Sequence, residues 1–199
     1  MSRLGFVANL FVPKSLDSVP TAPFGIALLT ALIGMFPSLA LAQEHAHGGG
    51  SNALVQVVRD ATERFKSVQA AENEEYHLMF GCVSGPDVGA MGLHYVNMAL
   101  VLDGELDPAH PEIILYEAMP SGRLKLTGAD FLVLADAWDT AHPGEPPQLM
   151  GQLFHRFEAP NRFGLPAFYT LHVWAWKESP TGTFVNWHSN VSCDSFNAQ

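Results

Sequence analysis

Between Asn52 and about Ala71 the apolar positions Leu54, Val57, Val58, Ala61, Phe65 and Val68 fall three or four residues apart, with Arg59, Asp60, Glu63, Arg64 and Lys66 between them. That spacing predicts an amphipathic helix, which Ser51 or Asn52 can cap. The period then shortens to two. A short strand is predicted around His77 to Cys82, followed by the glycine-rich loop "GPDVGAMG". In "LHYVNMALVL", 93–102, His94 shares a face with Val96, Met98, Leu100 and Leu102, as expected of one strand. "IILYEA", 113–118, places Ile113, Leu115 and Glu117 on one side. "LKLTGADFLVL", 124–134, reads as two strand pieces bent at Gly128. A proline-rich loop follows over 136–150, then a strand at 151–158. Both faces of "FYTLHVWAW", 168–176, are apolar, which predicts a central strand covered on both sides. One helix followed by five or six strands, with no βαβ pattern, predicts an α+β fold. The N-terminal helix would pack on a curved antiparallel sheet or partial barrel.

The residues before this pattern resemble an export leader. Arg3 and Lys14 precede an uncharged apolar run from Phe24 to Phe36, and "PSLALA" ends in Ala40 and Ala42, which suits cleavage after Ala42. The competing reading is a membrane anchor over 24–42, close to the minimum spanning length. Cleavage leaves residues 43–51 as a flexible tail and 52–199 as a single α+β domain. The mature chain then carries 8 basic and 19 acidic residues, a net charge of −11. That sign excludes nucleic acid and, after cleavage, an anionic membrane surface as electrostatic partners. Export to the periplasm or the cell exterior also means oxidising surroundings. There the two cysteines, Cys82 and Cys193, are expected to form one disulfide.

Candidate chemistry centres on polar side chains in apolar strands. His172 stands on the face of Phe168, Thr170, Trp174 and Trp176, His94 on another apolar face, and Glu117 at the end of a third. Buried, each needs a partner. Two imidazoles and one carboxylate form a ligand set for a divalent metal with open positions, such as zinc with water or a facial-triad iron. A Glu–His hydrogen-bonded network without metal fits the same residues. Tyr95, His155, Trp174 and Trp176 are predicted to line the pocket around them. The corresponding functions are a binding protein for a divalent metal or small ligand, a metal-dependent hydrolase or oxygenase, or a non-catalytic interaction protein with core histidines. No phosphate loop and no G-x-S-x-G is present. If cleavage exposes Gln43-Glu44-His45, that terminus could bind copper(II) or nickel(II), with cyclisation of Gln43 as the competing fate.

The segments "GAMGLHYVN", "PEIILYE", "FYTLHVWAWKESPTGTF" and "VSC", together with the "ATERF" helix, resemble a family of small exported bacterial proteins of unknown function. The resemblance spans nearly the whole mature chain and implies export, a single domain and pairing of Cys82 with Cys193. The chain departs from the family pattern at Glu178 or Ser179 and at Trp187, His188 and Ser189, so the resemblance implies no role for that last loop.

Overall fold

A computed structural model describes residues 49–197. The proposed leader and most of the tail, with the Gln43-Glu44-His45 site, lie outside the described residues. Helix α1 spans Gly49–Thr62. The predicted single helix is interrupted here: a 3-10 turn covers Glu63–Lys66, and α2 covers Val68–Asn73. Thr62 Oγ1 donates back to Val58 O at 2.6 Å, and Tyr116 Oη donates to Phe65 O at 2.6 Å. The carbonyl of Phe65 is thus drawn toward the sheet.

The strands are β1, His77–Gly85, β2, Gly89–Val96, β3, Ile113–Ala118, and β4, Leu124–Leu134. They are followed by β5, Gln148–Leu149, β6, Gln152–Leu153, β7, His155–Phe157, and β8, Phe168–Val173. Six of them form one sheet in the order β1-β2-β3-β4-β8-β7, antiparallel throughout, while β5 and β6 pair separately. The predicted α+β fold with a curled sheet is therefore present. No helix among the described residues is long and apolar enough to cross a membrane.

Two elements differ from their hydrophobic pattern. The predicted strand at 93–102 ends at Val96, and residues Met98–Asp103 form helix α3. Asn97 decides this, because its side-chain oxygen accepts from Ala99 N at 3.0 Å and Leu100 N at 3.4 Å, which caps the helix. The segment read as a loop after β4 begins with helix α4, Ala135–Ala141. The expected bend in β4 is a register slip within one continuous strand, between the pairs Leu115–Gly128 and Tyr116–Leu126. At Gly128 the neighbouring strand approaches so closely that a Cβ would lie 2.2 Å from Val173 O.

Alternation assigns the two faces. Leu54 and Val58 of α1 pack on Ala129, Phe131, Leu171 and Val173. Phe65 and Ala71 extend this cover over Leu93, Ile114 and Tyr116. The opposite face carries Val96, Ile113, Leu115, Leu132, Phe168 and Trp174, and its cover, apart from Val101 of helix α3, has no regular structure. Part of the cover is the loop after β7, whose Phe163 reaches Phe80 of β1 with 5.6 Å between ring centroids. Because β1 and β7 are opposite edges of the sheet, that contact marks the curl of a half-barrel. The rest of the cover is the C-terminal segment. His188 exchanges two backbone hydrogen bonds with Ala90, at 3.1 and 3.2 Å, and a Cys82–Cys193 disulfide fixes the end.

Candidate metal centre

The strand period that buries Phe168 on the face opposite α1 also turns Thr170 and His172 onto it. Antiparallel pairing sets Asp130 of β4 opposite His172 of β8. His94 projects from β2 onto the same face, and its ring centroid lies 5.9 Å from that of His172, nearly perpendicular. His94, Asp130 and His172 are between 2 and 4 % exposed. One potential ligand atom from each lies within 4.8 Å of those from the other two. Atoms sharing an ion at about 2.0–2.2 Å stand roughly 2.8–3.6 Å apart, so an ion would draw the side chains inward.

The polar atoms here are poorly satisfied. Asp130 Oδ1 accepts from Thr170 Oγ1 at 2.5 Å. His172 Nδ1 lies 3.4 Å from the same carboxylate oxygen but makes no aligned hydrogen bond with it. His94 Nδ1 and both ring nitrogens of His172 are buried without a well-aligned hydrogen bond, the Asn186 side chain lying against His172. Native structures leave few such atoms, and each costs about 1–3 kcal/mol.

Burial also sets the charge state. It pushes His94 down to about 4, with the neighbouring His172 adding to the shift. It pushes His172 down to about 3, with His155 adding, while the Asn186 side chain opposes the shift. Asp130 is raised by burial to about 6, against the stabilising pull of His94 and of the Thr170 hydroxyl. At neutral pH the cluster therefore holds two neutral imidazoles and one carboxylate, the protonation states a cation requires.

The cavity against this cluster has a volume of about 20 Å³ and is walled by Phe80, Met91, Phe157, Phe163, Leu165 and Phe168. That is room for an ion or a single water, not for an organic molecule. Its only titratable lining groups are the three clustered residues themselves.

The structure brings His94 and His172 together with Asp130 rather than with the predicted Glu117. Glu117 lies farther along β3, where Oε2 accepts from Lys177 Nζ at 2.6 Å and Oε1 from Ser192 N at 3.3 Å. Asp130 carried a readable signal, a lone charge inside the apolar run "GADFLVL". Among the predicted pocket residues, Trp174 stands beside His172 with 6.0 Å between ring centroids, and its Nε1 donates to Val185 O at 2.7 Å. Tyr95 is on the helical face, edge-on to Tyr116. Trp176 is also on the helical side, because the strand ends at Val173 and the chain turns; its Nε1 donates to Thr62 Oγ1. His155 pairs with Thr170 across β7 and β8 but is exposed and does not line the cavity.

No protein-family model matches the chain, no curated protein matches it in sequence, and no solved structure matches it.

Proposed function

We propose that this is an exported protein that binds one divalent transition-metal ion through His94, Asp130 and His172. The observation that carries the reading is the convergence of three buried ligand-type side chains from three strands, with imidazole nitrogens that make no well-aligned hydrogen bond. Two nitrogens and one oxygen suit zinc or ferrous iron and leave coordination positions open. Hydrolysis by a metal-bound water usually draws on a nearby general base, and this cavity offers no titratable group beyond the ligands. Metal binding, or oxygen chemistry at a ferrous ion, therefore fits better than a hydrolase. Export is supported by the leader pattern and by the disulfide, which belongs to oxidising compartments. The resemblance to small exported bacterial proteins points the same way.

The competing reading is a metal-free polar core, favoured by the Thr170–Asp130 hydrogen bond. Elemental analysis of untagged protein, followed by titration with zinc, ferrous iron or cobalt(II), separates the two. One equivalent should bind and raise the melting temperature of the wild type, since a ligand of the folded state stabilises it by mass action. Asp130→Asn, His94→Ala and His172→Ala should each lose both effects together. Three stability losses indifferent to metal and to chelator would refute the metal reading.

A further inference from the structure

We infer that the groove beside the metal cavity holds the apolar body of a free monocarboxylate whose head group reaches the ion. The inference rests on the metal-binding reading. The groove has a volume of about 170 Å³ and runs between β1, helix α3 and the loop before β8. Its walls include Met79, Val96, Met98, Leu102 and Leu134, and no polar side chain lines it. Four residues, Phe80, Ile113, Leu132 and Leu165, line both the groove and the metal cavity. The two spaces therefore share one wall.

Three observations choose the occupant. The metal cavity is too small for an organic molecule, so the bulk of any organic ligand must lie elsewhere, and the groove is the neighbouring space with room. Its walls can reward only alkyl or aryl surface. At the other end, a divalent ion beside one carboxylate and two neutral imidazoles has a net charge of +1, which favours an anionic head. A monocarboxylate joins these two demands in one small molecule.

The partition between the spaces is built unusually. Phe80 and Gly81 are both left-handed, with φ of +68° and +62°, and together form an extra pair of residues in β1 between Met79 and Cys82. A phenylalanine rarely adopts that backbone. The bulge holds the Phe80 ring at the junction of groove and cavity, 39 % exposed rather than packed inside. Met98 and Leu102 form the outer rim, 40 % and 68 % exposed.

Cobalt(II)-loaded protein, titrated with acetate, hexanoate and decanoate while its visible spectrum is recorded, tests this. Hexanoate should bind at least about tenfold more tightly than acetate, since each buried methylene contributes a few-fold. The rim variants Leu102→Glu and Met98→Glu, checked for an unchanged circular dichroism spectrum, should remove that chain-length gain while cobalt(II) and acetate affinities stay as in the wild type. Cobalt(II) uptake with equal acetate and hexanoate affinity overturns the groove alone. A chain-length gain that survives both rim variants also overturns it, by placing the alkyl body elsewhere. Failure to take up cobalt(II) at all overturns the metal reading and this inference with it.

Discussion

Replacing both cysteines with alanine should cost the protein about 4–5 kcal/mol. The disulfide joins residues 111 apart in sequence, and the chain-entropy relation for a loop of that length gives roughly 16 cal/mol/K, or about 4.8 kcal/mol at 25 °C. The folded state changes little in this bookkeeping. Cys193 is buried against Ala90, Val191 and Trp174, and the segment keeps its two hydrogen bonds to Ala90 and the Trp174–Val185 bond. The loss therefore comes from freedom restored to the unfolded chain. Against a typical total stability of about 5–15 kcal/mol, it would bring the protein close to its unfolding threshold. Urea unfolding followed by tryptophan fluorescence measures the change. With a slope near 2 kcal/mol/M, the midpoint should fall by about 2 M. The slope itself should rise, because the uncrosslinked chain exposes more surface. A midpoint shift below about 0.5 M, equivalent to about 1 kcal/mol, would refute the loop-entropy argument and mean that the unfolded ensemble keeps the tail near β1 without the bond.

Glu112 is buried and accepts from Leu132 N at 3.0 Å, and burial raises its carboxyl to about 8. The folded state thus holds this proton more tightly than the unfolded chain, so the contribution is complete below about pH 4.5 and is lost as pH rises through about 8. Glu112→Gln, which keeps an acceptor for Leu132, should gain stability over the wild type at pH 9 and little at pH 4, by thermal melts across that range. Gly128→Ala should cost on the order of 1–3 kcal/mol or more in chemical denaturation, because its Cβ would meet backbone, Val173 O, at 2.2 Å. Asn97→Ala should cost about 1 kcal/mol in the same assay. It removes the cap of α3 and the Asn97 Nδ2 bond to Glu74 O.

Where side-chain period and local chemistry agree, the pattern of residues carries the architecture. The alternation in "IILYEA" and "FYTLHV" matches β3 and β8 face by face, and the cysteine count matches the disulfide. It misleads where one polar group outweighs several apolar ones. "NMALVL" alternates like a strand, yet the Asn97 side chain satisfies two amide groups that only a helix presents. The site was legible in two of its three groups. His94 and His172 are conspicuous as single polar residues in apolar strands, but their carboxylate partner depends on which strands pair. β4 lies beside β8 through a connection that also contains α4, β5, β6 and β7, and no local spacing records that adjacency. Glu117 has the same composition signal as Asp130. Lys177, reached only when the chain turns after β8, takes it as a partner.

His94, Asp130 and His172 project from strand interiors rather than from loops, beneath a cover made of helix α3, an aromatic loop and a stapled C-terminal segment. An ion held there has no ligand that can swing aside by itself, because each is fixed in a hydrogen-bonded ladder. A small anion can approach along the groove, but removal of the ion from its three side chains by a bulky chelator has to wait for the cover to lift. In a competition experiment the rate of metal loss should therefore level off at a value set by the protein's own opening and stop responding to added chelator. The residence time of the ion would then report the frequency of cover motion rather than the strength of the coordination bonds.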